Sequence, residues 1–234
     1  LPCQGLLMRD IVIAIDGFSG TGKSSTAKEV ASALGYTYID SGAMYRCVAR
    51  YFINHQIDFV EEEKVIKALD EILISFRFNK LLNASEIFLN DQIMDHQIRL
   101  PEINEIVSQI AAQPLIRKKL VSRQQALGLN KGIVMDGRDI GTVVFPDAAL
   151  KIFMTADLDI RTKRRHEELE GQGIQVTSEE IKKNLASRDR LDTTRIDSPL
   201  IKAADAIALD SSYLTFDGQV KEIIDLANKI IYEG

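Results

Sequence analysis

Residues 11–30 read IVIAIDGFSGTGKSSTAKEV, an apolar run followed by a glycine-rich turn and by a segment with apolar residues at helical spacing. Within this stretch, residues 17–24 match the phosphate-binding pattern G-x-x-x-x-G-K-[ST] in full. The match lies between a predicted strand and a predicted helix, and this context distinguishes a P-loop from a glycine-rich turn with a solvated lysine. The stretch therefore predicts a P-loop nucleotide-binding fold.

The spacing of the loop has a physical reason. Glycines let backbone N–H groups turn toward phosphate oxygens, and the N-terminus of the following helix adds its positive dipole. Lys23 brings a charge to the transferring phosphoryl group, and the Ser24 hydroxyl can bind Mg²⁺. We expect ATP to contact the loop through Gly17, Phe18, Ser19, Gly20, Thr21, Gly22, Lys23, Ser24 and Ser25.

Further along the chain, apolar runs alternate with helical patterns. The apolar runs lie at residues 36–39, 132–137, 149–156 and 206–210. Such runs are typical of parallel strands that are covered on both faces. We predict an α/β fold, a doubly wound parallel sheet of about five strands with helices on both faces. Asp16, Asp40 and Asp136 come at predicted strand ends, where ligands of such sheets bind.

Residues 60–110 interrupt this alternation. Two segments alternate apolar and polar residues as hairpin strands do, and an amphipathic helical pattern follows at 102–112. We predict an inserted subdomain with a short antiparallel sheet at 60–110, within a core formed by residues 8–59 and 111–234. We interpret residues 1–7 as a disordered leader or an expression remnant.

The composition limits the classes of function. The chain has 234 residues, of which 45% are hydrophobic, and a formal net charge of −5. General nucleic-acid binders are usually basic, and no apolar run in this sequence is long enough to span a membrane. The two cysteines, Cys3 and Cys47, give neither a disulfide framework nor a metal-binding spacing. We expect a cytoplasmic monomer that binds neither nucleic acid nor a membrane.

An enzyme that binds ATP beside an anionic acceptor needs a local cluster of cations, because several negative charges meet within a few ångströms. Arginines at predicted element ends are the candidates: Arg46, Arg117, Arg138, Arg161, Arg164, Arg165, Arg188, Arg190 and Arg195. The segment 187–195 could close over phosphates, although an exposed helix end with paired charges would show the same pattern. Its helix is predicted to begin with a capping box formed by Thr177 and Glu180.

Beyond the loop, four further motifs carry a resemblance to a known family. They are DSGAMYR at 40–46, SQIAAQPLIR at 108–117, MDGRDIGTVVFPDA at 135–148 and RDRLDTTR at 188–195. In order and spacing the chain resembles the bacterial cytidylate kinases, a family of P-loop nucleoside monophosphate kinases. The resemblance implies in-line transfer of a phosphoryl group from ATP to CMP or dCMP, giving CDP or dCDP. It also implies a CMP-binding insertion and a mobile helical lid at roughly 157–195.

The resemblance assigns roles residue by residue. It implies that Ser41, Arg117 and Asp139 contact the cytosine edge, with Tyr45 and Ser108 beside the base. Arg46, Arg138, Arg188 and Arg195 would contact phosphates, Asp192 a sugar hydroxyl, and Arg161 or Arg165 the ATP side of the lid. Ser24 would bind Mg²⁺ directly and Asp136 through water, although Asp136 could equally cap the turn that follows it. Catalysis would depend on Lys23, Arg138, Arg188 and Arg195.

Other readings of the sequence remain open. A guanine-specific GTPase is not supported, since Ile133 stands where an N-K-x-D motif would need aspartate. A P-loop kinase acting on UMP, AMP or a metabolite hydroxyl, or a non-catalytic nucleotide-binding module, would share the loop. The chain departs from the family pattern at Phe18, where proline is usual, and at Ser24 and Ser25, where Gly-Thr is common. A cradle made of backbone amides should tolerate the first change, and serine keeps the hydroxyl in the second.

Overall fold

The computed structural model describes residues 10–79, 84–171 and 173–233. The predicted leader at residues 1–7, with Cys3, lies outside these described residues. The strands are β1 (Val12–Gly17), β2 (Thr37–Asp40), β3 (Ile74–Asn79), β4 (Ala84–Leu89), β5 (Gln92–Ile93), β6 (Ile133–Gly137), β7 (Leu150–Thr155) and β8 (Ile207–Asp210).

The helices alternate with these strands along most of the chain. They are α1 (Lys23–Leu34), α2 (Ser41–Asn54), α3 (Glu62–Glu71), α4 (Pro101–Ala112), α5 (Pro114–Leu127), α6 (Leu158–Gly171), α7 (Ser178–Thr194) and α8 (Phe216–Glu233). A short 3₁₀ turn covers Gln97–Arg99, and a π-helical turn covers Ile140–Val144.

The main sheet has five parallel strands in the order β2-β6-β1-β7-β8. Its central strand, β1, is buried on both faces because alternate side chains enter two different cores. Ile13 and Ile15 pack with α1 and α8 on one face, whereas Ala14 packs with Met135 and the π-helical turn on the other. The predicted doubly wound fold, with helices on both faces, is confirmed.

A second, antiparallel sheet has the order β3-β4-β5 and lies between α3 and α4 in sequence. Its inward residues, such as Ile87 and Leu89, share one core with apolar residues of α2, α3, α4 and α5. This shared core places the small sheet beside the helices that carry the predicted acceptor residues. The predicted antiparallel sheet is confirmed, and the exact bounds of the insertion stay a prediction.

Helices α6 and α7 pack against each other near the carboxyl ends of the main strands. The predicted capping box is present at the start of α7. The Glu180 backbone N–H donates to Thr177 Oγ1 at 3.3 Å, and the Thr177 backbone N–H donates to Glu180 Oε2 at 2.9 Å. In the part of the chain that the structure describes, no helix combines the length and apolarity needed to cross a membrane.

Candidate active site

The glycine-rich loop turns sharply between β1 and α1, and two of its glycines are required by this geometry. Gly22, the residue before α1, has φ 85°, a left-handed conformation that other residues rarely adopt. At Gly17, a Cβ atom would lie 2.1 Å from the carbonyl oxygen of Met154. The loop can therefore approach β7 and enter the helix only with glycine at these positions.

Lys23 opens α1 and is only 6% exposed. Its ammonium donates a hydrogen bond to the carbonyl oxygen of Phe18 at 3.2 Å. Burial lowers the pKa of Lys23 to about 7, and the nearby charge of Arg138 lowers it further, whereas Asp136 opposes the shift. A bound anion would supply the missing counter-charge, so the lysine is suited to a phosphate group.

Ser24 and Asp136 meet beside the loop, at the carboxyl end of β6. The Ser24 hydroxyl donates to Asp136 Oδ2 at 2.7 Å, and the Tyr38 hydroxyl donates to Oδ1 at 2.8 Å. Burial raises the pKa of Asp136 to about 6, and the charge of Asp40 adds to this shift. Each oxygen of the Asp136 carboxylate thus accepts one side-chain hydrogen bond, from Ser24 at the loop and from Tyr38 on β2.

The oxygen atoms of Ser24 and Asp136 suit a magnesium ion. Mg²⁺ prefers hard oxygen ligands, and its nucleotide sites usually combine one or two protein oxygens with substrate phosphates. Within residues 10–79, 84–171 and 173–233, no group of three or more His, Cys, Asp or Glu side chains could hold a metal by itself. One hydroxyl and one carboxyl group in contact beside the loop fit a cation that takes its other ligands from a bound nucleotide.

On the other side of the loop, a buried ion pair joins Arg117 of α5 to Asp139, the second residue after β6. The two side chains are only 4% and 7% exposed. Arg195, just after α7, approaches Asp139 to 3.8 Å, and the Arg117 guanidinium lies 5.6 Å from the centre of the Tyr45 ring. Three of the predicted base-contacting residues, Tyr45, Arg117 and Asp139, therefore come together from separate elements.

Three buried polar atoms around this ion pair have no hydrogen-bond partner among the described residues: Tyr45 Oη, Arg117 Nε and Arg195 Nη2. Burial also raises the pKa of Tyr45 to about 12, so its hydroxyl is a donor at neutral pH. Buried donors without partners are costly, and a polar ligand would relieve that cost. Ser41, the first residue of α2, donates to the Asp136 carbonyl oxygen at 2.6 Å.

A group of cations lies between the loop and this pocket. Arg138 donates to Ser19 Oγ at 2.7 Å and to Asp192 Oδ2 at 2.6 Å, which links the loop to α7. Burial lowers the pKa of Arg188 to about 10, and the charges of Arg138 and Arg46 lower it further. Like charges at close range are unfavourable without enough counter-charge, so this group of cations is suited to a bound anion.

The two arginines proposed for the ATP side of the lid lie in different surroundings. Arg161 is buried and donates to the Ser19 carbonyl oxygen at 3.2 Å and to Asp189 Oδ2 at 2.7 Å. Arg165 is more exposed and forms an ion pair with Glu168 at 2.7 Å. Arg161 therefore fastens the loop to α7, and a contact of either arginine with ATP stays a prediction.

The remaining predicted acceptor residues lie on α2 and α4. Arg46 is half-buried and donates to Asn104 Oδ1 at 3.1 Å, and Ser108 is half-buried one turn further along α4. Sequence reasoning assigned no role to Asp16, Tyr38 or Asp189, although all three have partners in the site. The position of Asp16 and Tyr38 at strand ends was a usable signal, whereas nothing in the sequence pairs Asp189 with Arg161.

Comparison with known proteins gives one consistent result. The family model described as cytidylate kinase matches residues 13–229. A cytidylate kinase from Flavobacterium psychrophilum is 50% identical over 226 residues, covering 95% of this chain and 100% of the relative. One from Cytophaga hutchinsonii is 48% identical and covers 94% of each chain. One from Bacteroides thetaiotaomicron is 46% identical and covers 97% of this chain and 100% of the relative.

Among solved structures, an uncharacterised protein from Eubacterium ventriosum has a TM-score of 0.51. It is 16% identical, and the alignment covers 94% of this chain and 99% of that one. This likeness concerns the fold alone.

Proposed function

The chain belongs to the cytidylate kinase family, and from this premise we propose that it transfers the γ-phosphoryl group of ATP to CMP and dCMP. The observation that carries the proposal is the reach of two adjacent residues. Arg138 contacts Ser19 of the P-loop, while Asp139 pairs with Arg117 in the buried pocket. The donor and acceptor sites therefore meet at one dipeptide.

We assign the donor site to the P-loop, with ATP phosphates held by its backbone amides and by Lys23. The contacts would involve the residues from Gly17 to Ser25, as the sequence pattern predicts. The buried, partner-poor ammonium of Lys23 supports this assignment, because a triphosphate supplies the negative charge that the site lacks. Arg161 supports it indirectly by fixing the loop at the Ser19 carbonyl oxygen.

We assign the acceptor base to the pocket around Asp139. Cytosine carries an exocyclic amino group, which can donate a hydrogen bond to a carboxylate. Its O2 and N3 atoms are acceptors, and Arg117 and Ser41 can donate hydrogen bonds to them. Uracil has a carbonyl oxygen where cytosine has the amino group, and this oxygen would face the Asp139 carboxylate unfavourably. Tyr45 and Ser108 would lie beside the base, and Asp192 would accept a sugar hydroxyl.

We assign the acceptor phosphate to the cations between the two sites, Arg46, Arg138, Arg188 and Arg195. The lowered pKa of Arg188, caused first by burial and then by neighbouring arginines, supports an anion at this position. In this assignment the guanidinium groups also neutralise the charge of the transferring group. Catalysis then consists of positioning and charge stabilisation.

In the proposed reaction, an oxygen of the CMP 5′-phosphate attacks the γ-phosphorus of ATP in line with the bond that breaks. The bond from that phosphorus to the β–γ bridging oxygen breaks, and ADP leaves with the electron pair. A phosphate monoester is already ionised, so no strong general base is needed. The reacting oxygens are held in place by Lys23, Arg138, Arg188 and Arg195. Because the transfer is direct, no covalent enzyme intermediate is needed.

Magnesium is part of this proposal. Ser24 would bind it directly and Asp136 through water, which agrees with their contact at 2.7 Å. When bound, Mg²⁺ neutralises charge on the donor phosphates. We further propose that the enzyme acts as a monomer in the cytoplasm. The buried free thiol of Cys47 supports this location, because a free thiol suits a reducing compartment.

A coupled assay of ADP release tests the proposal. The purified full chain is supplied with ATP, Mg²⁺ and, in separate reactions, CMP, dCMP, UMP, AMP or no acceptor. We expect the highest kcat/KM with CMP or dCMP, low turnover with UMP and AMP, and almost none without an acceptor. A preference for UMP or AMP would reassign the acceptor, and acceptor-independent ADP release would reject the kinase assignment.

A further inference from the structure

Asp16 is a buried carboxylate to which we have assigned no contact with either nucleotide. It lies at the end of β1, one residue before the P-loop, and is 5% exposed. A carboxylate in the interior is unfavourable unless its oxygens accept hydrogen bonds. Its partners therefore indicate what it does.

Both oxygens of Asp16 accept hydrogen bonds from the first two residues of the π-helical turn. The backbone N–H of Ile140 donates to Oδ1 at 2.8 Å, and that of Gly141 donates to Oδ2 at 2.7 Å. The first N–H groups of a helical turn have no partner within the turn, so a carboxylate from another element can cap it. Gly141 lies beside the carboxylate, since an added Cβ there would be in van der Waals contact with Oδ2 at 3.4 Å.

The backbone of Asp16 holds the other end of the same segment. In the parallel ladder between β1 and β6, Asp16 is the register partner of Gly137. Arg138 and Asp139 are the two residues between Gly137 and the amides that bind the Asp16 carboxylate. One residue of β1 thus anchors the chain both before and after this dipeptide.

The two side chains of the dipeptide need this anchoring because they serve different partners. Arg138 reaches Ser19 and Asp192, whereas Asp139 pairs with Arg117. The backbone at Asp139 has φ −145° and ψ 24°, where the chain leaves the strand and enters the turn. A small shift at either anchor would change the direction of both side chains, and misplacement by about 1 Å strongly reduces catalysis.

We infer that Asp16 is a positioning residue for acceptor recognition, because it holds the Arg138–Asp139 dipeptide at both ends. This inference rests on the proposed function. Since Asp16 acts through the dipeptide, its loss affects the binding and selection of the acceptor. Donor affinity changes less than acceptor affinity, because the P-loop keeps its own glycines and Lys23 even where Arg138 loses its contact with Ser19.

The substitution Asp16→Asn tests the inference. The amide keeps one acceptor oxygen but sets an NH₂ group against one of the two backbone donors. We expect KM for CMP to rise about tenfold or more, the ratio of kcat/KM for CMP over UMP to fall, and KM for ATP to stay within about twofold. Asp10→Asn, an exposed substitution near the start of the same strand, is the control and leaves all three values unchanged.

Two results would overturn the inference: an unchanged KM and selectivity for CMP in a folded Asp16→Asn variant, or an equal rise in KM for CMP and ATP. If this variant shows no cooperative thermal transition, Gly141→Ala decides instead. Its added Cβ would lie 3.2 Å from Lys151 Cδ and 3.4 Å from Asp16 Oδ2, so the neighbouring groups at the start of the π-helical turn must shift slightly to accommodate it. We expect KM for CMP to rise again, by less than in Asp16→Asn, while KM for ATP stays within about twofold. Equal rises in both KM values, or no rise in KM for CMP, would reject the positioning role.

Wild-type enzyme in the same assay separates this inference from the proposed function. A wild type that does not phosphorylate CMP would refute the proposed function. If the wild type phosphorylates CMP and the variants keep a normal KM and selectivity for CMP, only the role of Asp16 is refuted.

Discussion

The donor loop and the acceptor pocket of this protein are built in different ways. The loop occupies residues 17–24 and, in the proposed function, binds phosphates mainly through backbone amides, whose direction depends on glycines such as Gly22 with φ 85°. The pocket takes side chains from α2, α5, the segment after β6 and the end of α7. Its central contact is the buried ion pair between Arg117 and Asp139. A backbone site depends on a short local pattern, whereas a side-chain site depends on how several elements pack.

This difference predicts different responses to substitution. A backbone amide survives almost any change of side chain, so the donor loop should depend strongly on its glycines and on one charged residue. In the acceptor pocket, each recognition contact is a single side chain that one substitution removes. Selectivity should therefore be lost at the acceptor pocket, whereas changes in the loop affect turnover or almost nothing.

The largest effect is expected where the loop uses a side chain. Lys23→Ala removes a buried charge that, in the proposed function, contacts the transferring phosphoryl group, and we expect kcat to fall about 10²- to 10³-fold with the fold intact. The matched control is Lys28→Ala, on the exposed side of the same helix. Steady-state kinetics and thermal melting measure both, and near-normal kcat in folded Lys23→Ala would contradict the role of this lysine.

In the acceptor pocket, Asp139→Asn should reduce selectivity. The amide weakens the pair with Arg117 and replaces one acceptor oxygen by a donor, so kcat/KM for CMP should fall about 10- to 100-fold while that for UMP falls less. Kinetics with both acceptors measure the ratio, with the exposed Asp147→Asn in the same segment as control. An unchanged ratio of CMP to UMP would mean that Asp139 does not read the base.

The buried carboxyl group of Asp136 lies beside the loop, where it accepts from Ser24, and its ionisation predicts an effect of pH on stability. Burial raises the pKa of Asp136 from 3.8 to about 6, so the folded chain binds this proton more tightly than the unfolded chain does. Its contribution to the free energy of unfolding is therefore full below about pH 4 and is lost as pH rises through about 6. Asparagine does not titrate and lacks this loss.

The stability of Asp136→Asn relative to the wild type should consequently increase as pH rises. In buffer without nucleotide or Mg²⁺, we expect the difference in Tm, variant minus wild type, to increase by about 2–4 °C between pH 5 and pH 7.5. Thermal melting at a series of pH values measures it, with Asp147→Asn as the control. A constant or decreasing difference would show that burial does not govern this carboxyl group.

The smallest effect is expected for an uncharged side chain in the loop. Phe18 lies half-buried, with its ring 6.1 Å from that of Phe153 and 5.4 Å from the Arg161 guanidinium. Phe18→Ala removes these contacts but leaves the backbone amides, so KM for ATP should change by less than about threefold. A rise of tenfold or more would show that the loop depends on side-chain packing as well as on its backbone.

The sequence was sufficient for the fold class because the signals for it are local. Apolar runs predicted the parallel strands, alternation predicted the antiparallel sheet, and the capping box at Thr177 and Glu180 predicted the start of α7. Each of these follows from residues within a few positions of one another. The structure confirms all three.

The residues of the acceptor pocket were predicted from a family resemblance, because no spacing in the sequence shows that Arg117 faces Asp139. The contacts of Asp16 with Ile140 and Gly141, and of Arg161 with Asp189, were missed for the same reason. These partners are distant along the chain and meet only after the strands have aligned. The roles of the site residues in binding and catalysis stay predictions that the variants above test.

Taken alone, the sequence determined that a phosphate-binding loop follows a buried strand, because glycine positions and a lysine at fixed spacing dictate that geometry wherever they occur. Only the tertiary structure decided which side chains surround Asp139 and how Asp16 holds the dipeptide before the π-helical turn. The physical reason is the range of the interactions. Backbone conformation is set by neighbouring residues, whereas buried ion pairs and hydrogen bonds between elements depend on the register of the sheet and the packing of the helices against it.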